Sequence, residues 1–115
     1  MSRKLNLYLT DILTSISNIQ SDATELTYEQ LLQDRRTKDA ITHNLFIIGE
    51  STKQIPQSIR EKYSYIPWQQ IAGMRDMIAH AYFNLNPRII WNVIQQDLEP
   101  LKTCIEQMQQ NDSLE

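Results

Sequence analysis

The sequence predicts an all-α fold, an up-and-down bundle of four to five helices that forms a dimer. Apolar residues recur every three or four positions along most of the chain, which is the spacing of amphipathic helices. Two glycines and four prolines leave little room for the turns of an all-β fold. A chain of 115 residues can bury one core but gains from association, so we expect one domain over residues 1–115 that pairs with a second copy.

The first helix is predicted from about Arg3 to Gln20. Its apolar stripe consists of Leu5, Leu9, Ile12, Ile16 and Ile19. A polar linker follows, and Thr27 with Gln30 then has the spacing of a capping box, in which the threonine oxygen accepts a free helix amide. This spacing predicts a short second helix.

A third helix is predicted from Asp34 to about Ile55, where Pro56 stops it. Its stripe consists of Ile41, Leu45, Ile48, Thr52 and Ile55, and Phe46 and Ile47 widen it. A helix that is apolar over so much of its girth is either central or in contact with a second subunit. Glu50 lies at the end of the apolar run, and Lys53 is the local cation expected to pair with it.

Residues 57–66 are short and mixed, with Tyr63 and Tyr65 expected to pack inward. Pro67 suits the first position of a fourth helix, where its missing N–H costs nothing. That helix should run from Trp68 to about Tyr82. Its core stripe is Ile71, Met74, Ile78 and Ala81.

The last helix is predicted to begin with Asn86 as its N-cap and Pro87 as its first residue. Its stripe consists of Ile90, Ile94, Leu98, Leu101, Ile105 and Met108. Pro100 lies inside this pattern, so we expect a kink or a break near Glu99. The lone Cys104 is expected to be a small apolar filler, and the tail after Gln109 should fray.

Charge is unevenly distributed along the chain. Residues 35–88 carry eight Lys or Arg against four Asp or Glu, whereas the whole chain has a net charge of −3. A positive middle is compatible with local binding to a phosphate backbone, and also with a solvated helical face. No apolar run approaches the ~20 residues of a membrane span and the N-terminus lacks a signal-peptide core, which predicts a cytoplasmic protein without a membrane partner.

The candidate functional stretch is residues 74–83, which holds Arg75, His80 and Tyr82. Arginine is a permanent cation with a planar fork that suits phosphate, and histidine titrates near neutral pH. Tyrosine adds a phenolic hydroxyl, so the three side chains supply a site for phosphate chemistry that needs no metal or cofactor. The alternative is a surface charge with two residues at the edge of the core. His43, in the third helix, is interpreted as a structural or rim histidine.

Helix geometry constrains how these residues could act together. Arg75 and Tyr82 share a face, whereas Arg75 and His80 diverge by about 140° on an ideal helix. Asp76 neighbours His80 and could accept a hydrogen bond from its ring. A two-fold axis through this face would supply two histidines, one as base and one as acid.

The reaction that suits these groups is cleavage of RNA by its own 2′-hydroxyl. His80 would transfer a proton, Arg75 would stabilise the charged transition state, and Tyr82 would hold a phosphate or stack near a base. The sequence contains no set of His, Asp and Glu with metal-ligand spacing and no Gly-rich phosphate loop.

The pattern Arg-x4-His-x-Tyr at residues 75–82 resembles the signature of the HEPN superfamily, and its flanks resemble the HepT-type toxin branch. The resemblance covers almost the whole chain. It extends to residues 34–40, 47–50 and 66–74, and to Trp91, Asp97 and Leu98.

The resemblance implies a HEPN-like, all-α, dimeric toxin that cleaves RNA, with tRNA as the expected substrate. It also implies a partner, a small nucleotidyltransferase antitoxin of the MntA type. Arg75 and His80 would be the catalytic pair, and Tyr82 would be the residue to which the antitoxin transfers AMP. The superfamily often has Asn where this chain has Asp76. Two alternatives remain: a non-catalytic helical partner of a nucleotidyltransferase that binds a nucleotide or presents a substrate, and a purely structural helical dimer.

Overall fold

The computed structural model describes residues 3–111, and these residues form helices and turns without a strand. The α-helices are α1 (Arg3–Asp22), α2 (Tyr28–Gln33), α3 (Arg35–Lys53), α4 (Gln57–Arg60), α5 (Trp68–Ala81), α6 (Pro87–Asn92) and α7 (Leu98–Asn111). The 3₁₀ turns Glu61–Tyr63 and Tyr82–Asn84 follow α4 and α5, and the π-helical stretch Val93–Asp97 joins α6 to α7. Four long helical elements therefore dominate, as predicted, and the all-α fold class is confirmed.

Local capping signals fix where three of the helices begin. The Thr27 hydroxyl accepts from the Gln30 amide at 3.1 Å, and the Gln30 side chain accepts from the Thr27 amide at 2.9 Å, so both halves of the capping box form. Asp34 accepts from the amide three residues on at 3.0 Å, and Asn86 from the amide two residues on at 2.9 Å. The predicted starts at Thr27 and Asn86 are confirmed, whereas Asp34 and Pro67, predicted as the first residues of their helices, are the N-caps of α3 and α5.

The helix α3 is the centre of the bundle. It packs against α1 on one side and α5 on the other, and α1 also packs against α7. Every predicted stripe residue of α1 and α3 is buried, while Phe46 and Ile47 are half-buried at the edge. The prediction that α3 is a central helix is confirmed.

One of the two tyrosines after α4 does not pack inward as predicted. Tyr63 is buried, but Tyr65 is 63% exposed. The 3₁₀ turn ends at Tyr63, and residues two apart at such a turn point to different sides of the backbone. Only one of the pair can therefore enter the core.

The last helix is continuous through Pro100, with its irregularity one turn earlier than predicted. An α-helix would need Pro100 to donate an N–H to the carbonyl of Gln96, which proline cannot do. Gln96 lies in the π-helical stretch Val93–Asp97. This wider turn keeps Ile90 and Leu98 buried on one face, whereas regular α-helical spacing would separate residues eight apart by about 80°. Ile94, inside the wide turn, is only half-buried.

The C-terminal helix extends to Asn111, two residues beyond the point where fraying was expected. The rest of that predicted frayed tail, residues 112–115, lies outside the described residues. Cys104 is buried in α7, which confirms its role as a core filler. Within residues 3–111, no helix combines the length and the apolarity that crossing a bilayer requires.

Candidate active site

The candidate site lies at a close contact between α3 and α5. A Cβ atom placed on Gly49 would lie 2.8 Å from the backbone nitrogen of Arg75, closer than such atoms can come. Glycine inside a helix costs about 0.5–1 kcal/mol relative to alanine, because it loses more backbone freedom on folding. Gly49 therefore allows α3 to lie directly on the backbone of α5 at Arg75.

Arg75 is held by side chains on three sides. Its Nε lies 3.3 Å from Oε1 of Glu50, an ion pair without hydrogen-bond geometry, and its Nη1 donates a hydrogen bond of 3.2 Å to Oδ1 of Asp76. The guanidinium carbon is 5.6 Å from the centre of the Phe46 ring, within the range of a cation–π contact. The side chain remains 34% exposed, so a fixed cation faces solvent at this point.

The ion pairs around Arg75 differ from those expected. Lys53 contacts Asp76, with 3.0 Å between Nζ and Oδ1, and Glu50 contacts Arg75, so the prediction that Lys53 pairs with Glu50 is wrong. The physical reason is that α5 supplies partners from 23 or more residues away, and these compete with the local one. The hydrogen bond from Lys53, and then that from Arg75, lowers the pKa of Asp76.

His80 is exposed and is fixed by the backbone of its own helix. Its Nδ1 lies 2.9 Å from the backbone oxygen of Asp76. A carbonyl oxygen can only accept a hydrogen bond, so Nδ1 carries the proton and Nε2 is left as the free ring nitrogen. The prediction that the Asp76 carboxylate holds His80 is wrong, because that carboxylate faces Lys53 and Arg75 while the carbonyl one turn back takes the histidine.

Tyr82 begins the 3₁₀ turn after α5 and is 40% exposed. Desolvation raises the pKa of its hydroxyl, and the Asp39 carboxylate that is hydrogen-bonded to it raises the pKa further. Tyr82 and Arg75 thus both meet α3, as their shared face predicts. Among the contacts of residues 3–111, none joins Arg75 to His80, in keeping with their predicted divergence.

Sequence reasoning missed four contributors from α3, namely Asp39, Phe46, Gly49 and Glu50 in its present role. Their signal was weak but readable, since Gly49 interrupts a strongly helical run and is followed directly by the carboxylate of Glu50. His43 is exposed on the same helix, which fits the rim position predicted for it.

The arrangement combines a fixed cation, an imidazole with its Nε2 free, and an accessible phenol. Such groups can neutralise a phosphate ester and move a proton beside it. Within the described range 3–111, no three His, Cys, Asp or Glu side chains gather closely enough to hold a metal ion.

Comparison with known proteins identifies the family. The family model described as "Ribonuclease HepT-like" matches residues 12–108. A protein of Thermococcus cleftensis named "Probable ribonuclease HepT" is 36% identical over 94% of this chain and 98% of its own length. A protein of Caldanaerobacter subterraneus whose name describes it as an RNase is 35% identical over 91% of this chain and 94% of its own length. No solved structure gives a significant match. The chain, with its Arg-x4-His-x-Tyr stretch on α5, therefore belongs to the HepT-like ribonuclease family.

Proposed function

We propose that this ribonuclease cleaves RNA through the RNA's own 2′-hydroxyl, with Arg75 and His80 as its catalytic residues. The observation that carries the proposal is the 2.9 Å contact between Nδ1 of His80 and the Asp76 carbonyl oxygen, which leaves Nε2 for proton transfer. The fixed guanidinium of Arg75, five residues earlier on α5, supports it further.

In the proposed reaction a neutral imidazole removes the 2′-hydroxyl proton, and the 2′-oxygen forms a bond to phosphorus. The bond from phosphorus to the 5′-oxygen breaks, and an imidazolium protonates that leaving oxygen. The products are a 2′,3′-cyclic phosphate and a 5′-hydroxyl. Arg75 stabilises the extra negative charge on the phosphate oxygens in the transition state.

The need for one base and one acid supports a homodimer as the active species. Each chain offers one histidine on α5, so a second copy would supply the other. Met77 and Ile89 are 40% and 41% exposed and line one apolar hollow near this end of α5, and covering such a surface would favour association.

We further propose that the enzyme is a toxin, silenced when an MntA-like nucleotidyltransferase antitoxin transfers AMP to Tyr82. The exposed phenol at the end of α5 supports this assignment. Each AMP unit adds bulk and negative charge where an RNA phosphate would approach, and so it repels the substrate. The expected substrate is tRNA, which places the activity in the cytoplasm. Asp76 positions Arg75 through its carboxylate and His80 through its carbonyl.

The decisive experiment incubates the purified chain with total RNA in EDTA, beside His80→Ala. We expect cleavage by the parent, loss of at least about a hundredfold in rate for the variant, and 2′,3′-cyclic phosphate ends on the products. Ends with a 5′-phosphate would refute the 2′-hydroxyl mechanism. Intact RNA with the parent chain would favour the non-catalytic nucleotidyltransferase partner instead.

The modification is tested separately, with the nucleotidyltransferase partner and ATP labelled at its α-phosphate. The bond from the Tyr82 oxygen forms to that phosphorus and pyrophosphate leaves, so the label stays with the transferred AMP. We expect label on the parent chain and none on Tyr82→Phe, which lacks only the acceptor oxygen. Equal labelling of Tyr82→Phe would place the modification elsewhere and leave the ribonuclease assignment intact.

A further inference from the structure

Three exposed arginines, two in the first turn of α3 and one in α6, form no close ion pair with a carboxylate among the described residues. We call Tyr28, Arg35, Arg36 and Arg88 the arginine flank. Arg75 and Lys53 in the candidate site form ion pairs with acidic side chains. Among the described residues, none of the three flank arginines has a carboxylate within 4.0 Å. The Asp34 carboxylate still interacts with one of them, because hydrogen bonds from Thr37 and then the backbone amide and charge of Arg36 lower its pKa. All three are exposed, so their charge is available to a ligand.

Arg88 is held in place by an aromatic ring. Its guanidinium carbon lies 3.8 Å from the centre of the Tyr28 ring, and that ring in turn meets Trp91 edge-on with 6.0 Å between centroids. Stacking fixes a flexible side chain, so less entropy is lost when its fork binds a phosphate. The outer face of the guanidinium remains open as a plane on which a base could stack.

The arginine flank is connected to the candidate site from two directions. Asp39, the hydrogen-bond partner of Tyr82, lies one helical turn after Arg35 and Arg36 on α3. The chain also leads directly from Tyr82 through one 3₁₀ turn and the Asn86 cap to Arg88. A strand of RNA that leaves the site past Tyr82 would therefore meet the flank next.

We propose that the arginine flank is a second RNA-binding surface, which holds backbone phosphates of the strand outside the cleavage site. Arg88 would bind a phosphate and present its outer face to a base, and Arg35 and Arg36 would bind neighbouring phosphates. The proposal rests on the ribonuclease function but not on its chemical mechanism. The flank would set how tightly the enzyme holds a long RNA, and it would not take part in the bond-breaking step.

The test measures binding of a single-stranded RNA of about twelve nucleotides over a range of salt concentrations. His80→Ala serves as background, so that the RNA stays intact. Loss of one phosphate contact should lower the slope of log affinity against log salt by about 0.7, and so weaken binding about fivefold at about 0.1 M salt, whatever the RNA sequence. We expect this fivefold weakening for Arg88→Ala. The double variant Arg35→Ala/Arg36→Ala should lose more affinity. Arg88→Lys keeps the charge and tests the contribution of the stacked fork.

Lys4→Ala is the matched control, because it removes one exposed positive charge near the start of α1. The flank follows the C-terminal end of that helix in the chain, and the 18 steps from Lys4 to Asp22 span about 27 Å. We expect its affinity and salt slope to equal those of the background.

Cleavage assays separate a binding role from a structural one. In the chain that retains His80, Arg88→Ala should raise KM for the long RNA and leave cleavage of a dinucleotide unchanged. Equal losses on both substrates, or unchanged salt slopes, would overturn the proposal. The proposal would also be overturned if Arg88→Ala weakened binding of the nucleotidyltransferase partner but left RNA affinity unaltered. The flank would then be a protein-binding surface. Absence of cleavage by the parent chain would instead count against the proposed function.

Discussion

At the scale of single residues, Arg75 shows how the proposed catalytic cation can be positioned by contacts of small energetic value. Its ion pair with Glu50 is partly exposed, with side-chain exposures of 34% and 45%. Exposed pairs contribute less than about 1 kcal/mol to stability. Their larger effect is on geometry, because Glu50, Asp76 and Phe46 together restrict where the guanidinium can point.

We therefore predict that Glu50→Gln lowers kcat by about tenfold while it costs less than about 1 kcal/mol of unfolding free energy. The side chain keeps its shape but loses the charge that holds Arg75. Cleavage kinetics and urea unfolding measure the two effects. Glu61→Gln removes an exposed carboxylate that does not touch Arg75, and it should leave both values unchanged. An unaltered kcat in Glu50→Gln would show that Arg75 needs no such support.

Cys104 yields a prediction about reactivity and pH. Burial in the core raises the pKa of its thiol from 9.0 to about 11, and the thiolate is the reactive form. A thiol reagent at about pH 8 should leave the native chain unmodified and react once it is unfolded. Since the folded state favours the neutral thiol, this contribution to stability is complete below pH 9.0 and is lost as pH rises towards about 11. Rapid labelling of the native chain would contradict the prediction.

At the scale of helices, the sequence was most informative where the determinants are local. Apolar stripes and the caps at Thr27 and Asn86 depend on residues a few positions apart, and each was predicted. The pairing of Lys53 with Asp76 joins residues 23 apart on two helices, so it depends on how α3 and α5 dock. The residues of the candidate site could be chosen from the sequence, but their partners could not.

Alanine substitutions at the two glycines should change the stability of the chain in opposite directions. A Cβ on Gly73 would meet no atom within 4 Å, so Gly73→Ala should stabilise the chain by about 0.5–1 kcal/mol through reduced backbone freedom in the unfolded state. A Cβ on Gly49 would lie 2.8 Å from the backbone of α5, so Gly49→Ala should destabilise by about 1–3 kcal/mol. Urea unfolding of both variants is the measurement. A stable Gly49→Ala would mean that α3 and α5 can separate without cost.

At the scale of the whole molecule, the proposed acid and base come from two copies of the chain. If both histidines are needed, an inactive copy should inhibit an active one. Mixing the parent with an equal amount of His80→Ala leaves about one quarter of the dimers with two histidines, so activity per parent chain should fall to about half. An unrelated carrier protein added at the same concentration is the control. Unchanged activity after subunit exchange would show that one chain suffices.

The π-helical stretch Val93–Asp97 and Pro100 also constrain how this chain can change over generations. Deleting one residue from the stretch would place Ile90 and Leu98 seven positions apart, and a regular α-helix keeps residues at that spacing on one face. The same deletion would leave Pro100 in a helix with no wide turn before it. Replacing the proline alone would leave the surplus residue behind. The two changes are tolerated best together, so lineages that lose the proline are expected to lose one residue here as well.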